Sequence, residues 1–117
     1  MRHLKKGRKF HRKRGQRRAF LKGLIRNLIL NRKIETTEAR AKEIKRLTEK
    51  LITLAKKQNL ASLRLLIARL GKKPAFELFY EIAPRFRERS GGYLRIIKSP
   101  YRRKRDGAPL AIVEFVE

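Results

Sequence analysis

Apolar residues take up a helical rhythm only after position 16. Phe20, Leu21, Leu24, Ile25, Leu28 and Ile29 recur at helical spacing, which predicts one apolar face on a helix over about 16–31. Asn31 is placed as its stop. Lys33–Thr37 reads as a short strand or extended link. Thr37 is able to cap a second helix, with Glu38 at the positive end of that helix. The second helix, about 38–57, has the clearest stripe. Ile44, Leu47, Leu51 and Leu54 form its centre, and Ala41, Ile52 and Ala55 widen it. Glu38 and Lys42 make an exposed pair one turn apart. A third helix over about 60–70 carries Leu60, Leu63, Leu66, Ile67 and Leu70, between a cap at Asn59 and a stop at Gly71. A fourth starts at Pro74, presents Ala75, Leu78, Phe79 and Ile82, and ends before Pro84.

Beyond the Gly91-Gly92 turn signal the period changes. YLRIIK (93–98) and LAIVEFVE (110–117) are rich in β-branched and aromatic residues and read as strands. Two strands alone are marginal, so they are expected to pack on the helices, with 33–37 as a possible third. The predicted fold class is α+β: four helices packed on a small two- or three-stranded sheet. No internal repeat is present, and the length suits a single domain.

The first fourteen residues do not fit this pattern. Their apolar side chains are Met1, Leu4 and Phe10, with no period. They cannot bury enough apolar area to offset the entropy of ordering, and they read as an arm that needs a partner. The expected organisation is a basic arm over 1–14 and a globular domain over 15–117, with a basic loop at 99–109.

Charge decides the class of partner. The 117 residues hold 34 Lys and Arg against 10 acids, a formal charge of +24, and the isoelectric point is near 11.6. No acid precedes Glu35. Most cations therefore lack an anionic partner in the chain, and such a field draws in polyanions. There are no cysteines, which excludes disulfides and thiolate zinc sites. The basic start is not followed by the apolar run of a secretory signal. The most apolar stretch, LKGLIRNLIL, is broken by Lys22 and Arg26 and is too short for a bilayer. A soluble, intracellular protein is expected.

There is little from which to build an active site. His3 and His11 lie in the arm, where no carboxylate or thiol stands near to complete a metal site or a catalytic pair. Ser62, Ser90 and Ser99 have no histidine close in sequence, and Glu77 and Glu81 sit among Lys72, Lys73 and Arg85, as a solvated face does. No phosphate-binding glycine loop is present. The expectation is a protein that is not an enzyme, with no cofactor and no metal.

The strong signals are two basic segments. The arm offers Arg2, Lys5, Lys6, Arg8, Lys9, Arg12, Lys13, Arg14, Arg17 and Arg18, and the loop adds Arg102, Arg103, Lys104 and Arg105. Arginine forks match phosphate oxygens in two-point geometry, whereas lysine acts as a mobile point charge. Phe10 and Tyr101 are placed either to stack on unpaired bases or to pack on the core. About ten phosphate contacts would give a log–log salt slope of roughly −7 to −9. Charge alone does not separate RNA from DNA. The lack of a helix-turn-helix unit favours structured RNA.

Three stretches carry a resemblance. MRHLKKGRKF at the start, NLILNRKIETTEARAKEIKRLTEKLITLAKK in the middle, and LFYEIAPRFRERSGGYLRI followed by GAPLAIVEFVE at the end are similar, in order and nearly end to end, to the family of the seventeenth protein of the bacterial large ribosomal subunit. One departure is Gly15-Gln16, where relatives often carry small hydroxyl residues, which leaves the cap of the first helix open. The resemblance implies a structural ribosomal protein of the cytoplasm, without enzyme activity or cofactor, that takes part in translation. It implies binding to large-subunit (23S-type) rRNA near the peptide exit tunnel, beside neighbouring large-subunit proteins, with no membrane and no small-molecule substrate. Individual contacts are not implied by any motif. The candidates are the arm cations with His3 and His11, Tyr93 and Arg95 at the SGGYLRI turn, and Tyr101 with Arg102, Arg103, Lys104 and Arg105 in the loop.

Overall fold

In the computed structural model, which describes residues 8–116, the apolar stripes become four helices over one face of a three-stranded antiparallel sheet. Helix α1 spans Arg14–Asn31 and starts earlier than its apolar period. Its first turn is capped by a polar side chain: Gln16 Oε1 accepts from the Lys13 N–H at 3.3 Å, so a glutamine supplies the cap without a hydroxyl. The chain leaves α1 through Arg32, whose φ of 70° is left-handed and whose N–H donates to the Leu28 carbonyl. Its guanidinium pairs with Glu77, which fastens the end of α1 to the fourth helix.

Strand β1 is Lys33–Thr37 and runs directly into α2, Glu38–Ala55. Thr37 Oγ1 accepts from the Arg40 N–H at 3.4 Å as the cap, and Glu38 pairs with Lys42 at 3.0 Å. Helix α3, Leu60–Leu70, has Asn59 Oδ1 accepting from the Ser62 N–H at 2.8 Å and Gly71 at its end. At φ 90° and ψ 168°, Gly71 occupies a region open essentially to glycine alone.

Helix α4 begins at Lys72, ahead of Pro74, and its α-helical part is short, Lys72–Phe76. It continues as a π-helical turn, Glu77–Ile82, and a 3-10 turn, Ala83–Phe86. Pro84 thus does not end the helical path. A proline removes one donor and crowds the carbonyl four residues back; the wider turn before it relieves that crowding and the tighter turn carries the chain past it.

Strands β2, Leu94–Arg102, and β3, Pro109–Phe115, complete the sheet in the order β1-β3-β2. The C-terminal strand is therefore central. Val113 lies between Ile34 and Ile96, and Glu114 between Lys33 and Arg95. Strand β2 extends beyond the expected Lys98 because an irregularity between Lys98 and Arg102 absorbs Pro100 at the sheet edge. The remaining connection, residues 103–108, is closed by hydrogen bonds from Arg103 N to Ala108 O and from Gly107 N to Arg103 O.

Alternation on β3 buries Ala111, Val113 and Phe115 against the helices. Leu28, Ile44, Ile52, Leu66, Leu78, Ile82 and Phe86 fill the space above them. The other sheet face stays open, with Ile97 45% exposed. Among the described residues no helix is long and apolar enough to cross a membrane.

Candidate nucleic-acid interface

The arm, where described, is folded onto the body. Arg12 N–H donates to Lys9 O at 3.2 Å, closing a turn whose two central residues, Phe10 and His11, have φ of 54° and 53°. Side chains in this region carry strain, so contacts elsewhere must hold it. Phe10 meets the Phe20 ring edge-on at 5.5 Å. Arg12 lies over the same ring at 3.8 Å while its Nη1 donates to Phe10 O at 2.9 Å. Arg17 Nη1 donates to Arg12 O at 3.1 Å. Upstream, Arg8 reaches the Glu43 carboxylate at 3.4 Å, and Arg46 approaches the same group at 2.7 Å. Glu43 is only 3% exposed. A buried carboxylate needs such partners, and one of them comes from the arm.

The turn sits beside the basic loop. Arg40, on the first turn of α2, lies 4.8 Å over the Phe20 ring. A groove of about 350 Å³ opens between the arm, the start of α2 and the loop, with Phe10, His11, Arg12, Arg40 and Arg103 on its walls. Burial, and then the charges of Arg12 and Arg103, hold the Arg40 pKa below the usual arginine value. Three guanidiniums thus share one region, and neither Arg12 nor Arg40 has an acidic partner among the described residues. Arg103 is held by Asp106 through two contacts, 3.0 and 2.6 Å. That hydrogen bonding, followed by the Ala108 N–H, pulls the Asp106 carboxyl down to about 2. Arg102 donates to Gly107 O at 3.0 Å. The loop is therefore a braced platform, and Tyr101, 74% exposed, stands at its edge.

The family model for ribosomal protein L17 matches residues 20–116. The chain belongs to the ribosomal protein L17 family. It is similar along its whole length to the large ribosomal subunit proteins bL17 of Sulfurihydrogenibium sp. (50% identical, 98% of that protein covered) and Persephonella marina (51%, 96% covered). Similarity to the bL17 of Thermus thermophilus is 46%, with both chains covered fully. As a member of this family it is a structural protein of the large ribosomal subunit, and its place is on the ribosome.

On this L17 fold the expected contacts divide into three groups. Arg2, His3, Lys5 and Lys6 lie outside the described residues. Lys9, His11, Lys13, Arg14, Arg18, Lys104 and Arg105 are exposed, and their cations have no ion pair among the described residues. Together with Arg12, Arg17, Arg102 and Arg103 they belong to the arm and loop.

Tyr93 and Arg95 do not join them. They stand at the opposite end of the sheet, Arg95 about 23 Å and Tyr93 about 30 Å before Arg102 at the usual rise per residue. Tyr93 is 3% exposed, its ring 5.2 Å from Phe86, and its hydroxyl accepts from Lys56 at 2.8 Å. A ring so enclosed has no face to offer a base, which corrects its place among the candidates. Arg95 lies across the open sheet face, 3.8 Å from Glu114 and donating to Val116 O at 2.9 Å. Phe10 likewise packs on Phe20 and is not presented for stacking.

Reading by charge runs overlooks the cations of α2. Arg40 is isolated in sequence, yet the fold sets it between both basic segments. Lys42, Lys45, Arg46 and Lys50 share the helix face opposite the apolar stripe; their spacing of three and four residues was the available signal.

Proposed function

We propose that the chain binds folded large-subunit rRNA and stabilises it during and after subunit assembly, and so takes part in translation. The family resemblance supports a position near the peptide exit tunnel, among neighbouring large-subunit proteins. The observation that carries this reading is the convergence of the arm turn and the 103–108 loop, far apart in sequence, on Arg40. Like charges gathered at one place repel one another unless an outside polyanion neutralises them. Folded RNA segments have the complementary problem. Cationic segments set between them lower phosphate repulsion and release counterions, while the helices and sheet fix where the arm enters. Tyr101 offers an aromatic face for an unpaired base beside the phosphate contacts.

The test reverses charges that carry no fold contact: Lys9→Glu with Arg14→Glu in the arm, and Lys104→Glu with Arg105→Glu in the loop. Unfolding midpoints should stay near wild type. Affinity for protein-free large-subunit RNA should fall at least tenfold for each pair, and the log–log salt slope should shallow by roughly 2 per pair. Unchanged affinity and slope in both pairs would refute the reading.

A further inference from the structure

A second concavity lies at the other end of the sheet from the 103–108 loop and adjoins the arm at Glu43, whose carboxylate Arg46 shares with Arg8. It lies between α2 and the Gly91-Gly92 turn, has a volume of about 550 Å³, and is lined on the helix side by Lys42, Lys45, Arg46 and Lys50. Its one acid, Glu49, is already committed: Oε2 accepts from the Leu94 N–H at 3.3 Å, tying the start of β2 to α2. Lys42 and Arg46 have carboxylate partners, but Lys45 and Lys50 have none among the described residues.

The opposite wall runs from Ser90 through the Gly91-Gly92 turn to Tyr93 and Ile96, and at the two glycines it is bare backbone. Beyond its own chain neighbours, neither Gly91 nor Gly92 has a heavy atom within 4 Å of the place where a Cβ would stand, and Gly92 has φ of 62°. Both carbonyls accept from Arg89 Nε, at 3.1 and 3.2 Å. Among the described residues neither glycine N–H donates to a protein acceptor. With the carbonyls neutralised by Arg89, what the turn leaves unmatched is its donors. One wall thus offers ammonium and guanidinium groups and the other a backbone that a bulky chain can approach closely. Lys42 to Lys50 spans about 12 Å along the helix, the length of a few nucleotides.

We infer that this groove is a second RNA site, which takes the phosphate backbone of a strand different from the one at the 103–108 loop. The inference rests on the rRNA reading above and extends it. Because the Gly91-Gly92 turn and the 103–108 loop lie at opposite ends of β2, one molecule bridges two RNA segments instead of coating one. Lys45 and Lys50 supply the mobile charges, Arg46 a fixed fork, and the Gly91-Gly92 turn the close approach. A neighbouring acidic protein would offer carboxylates to the same lysines. The phosphate backbone is favoured by the extended, water-open shape and by the unshielded glycine backbone, which suit a continuous polyanion.

The test uses the full chain and protein-free large-subunit RNA. The groove variant Lys45→Gln with Lys50→Gln is compared with the loop variant Lys104→Glu with Arg105→Glu. The groove variant should lose about tenfold in affinity and roughly 2 from the salt slope. Bound RNA should also protect Lys45 and Lys50 of wild type from acetylation. Wild-type binding by the groove variant, with a weakened loop variant, overturns the second site and leaves the rRNA reading standing. Loss of effect in both variants overturns both. Protection of Lys45 and Lys50 in whole subunits but not on bare RNA overturns the inference in favour of a protein neighbour. A folding defect in the groove variant would show as a lowered unfolding midpoint; Lys45→Arg with Lys50→Arg, which keeps the charge, must then restore binding, and its failure to do so counts against the site.

Discussion

At the residue scale, Thr48 is the polar atom out of place. It is fully buried on α2, and its hydroxyl has no hydrogen-bond partner among the described residues. A buried hydroxyl without a partner is destabilising, and valine fills nearly the same volume without it. Thr48→Val should therefore raise stability by about 1 kcal/mol, read as a higher urea midpoint with an unchanged slope; a lower midpoint would mean that the hydroxyl is satisfied in solution. Asp106 gives the clearest pH signature. Its carboxyl is held at about 2, below the ordinary 3.8, chiefly by hydrogen bonding from Arg103. A depressed carboxyl contributes its stabilisation above the ordinary value and loses it as pH falls through the folded one. The loop should accordingly stay braced down to pH 4 and loosen towards pH 2. Carboxyl carbon NMR should place the Asp106 inflection near 2, and an inflection at 3.8 or higher would show that the Arg103 clasp does not persist.

At the scale of elements, the helices were legible because each has a one-sided apolar stripe, and their caps at Thr37 and Asn59 were legible because those side chains compete well for orphan N–H groups. What periodicity did not contain was the behaviour at Pro84 and Pro100. Both are accommodated by irregular backbone, a π-helical turn in one case and a shifted register in the other. The choice depends on neighbours that hold the irregular segment, not on the proline alone. Gly71 stops α3 in a conformation that side chains avoid, with the Arg26 guanidinium no closer than 4.0 Å to an added Cβ. Gly71→Ala should thus cost about 1–3 kcal/mol from backbone strain without a clash, measured by chemical denaturation. The arm turn is held by the Phe10–Phe20 contact and the Arg8–Glu43 pair. Removing the ring in Phe10→Ala should cost about 1 kcal/mol and quicken tryptic cleavage at Lys9, Arg12 and Lys13. Unchanged cleavage would show that the turn holds without Phe10.

For the whole molecule, net charge is the governing quantity. A formal charge of +24 on 117 residues works against the folded state until counterions or RNA screen it. The melting temperature of the free protein should rise by several degrees as monovalent salt goes from about 20 to 300 mM, where the screening length shortens below about 10 Å. A flat or falling curve would mean that the cations are already balanced within the fold. The family match accounts for a large-subunit structural protein. The cationic surface then explains why a chain of this size can carry so little internal compensation.

From the amino-acid order alone came everything local or additive: the helical stripes, the caps, the excess of positive charge, the absence of thiols, and the two basic runs. Each depends on residues a few positions apart or on a sum over the chain. The tertiary structure decided what depends on distant partners. It made the C-terminal strand the centre of the sheet, enclosed Tyr93, and packed Phe10 on Phe20. It also brought arm and loop together at Arg40 and opened a separate groove along α2. Burial and convergence are properties of three-dimensional neighbours, which residue type and spacing do not specify.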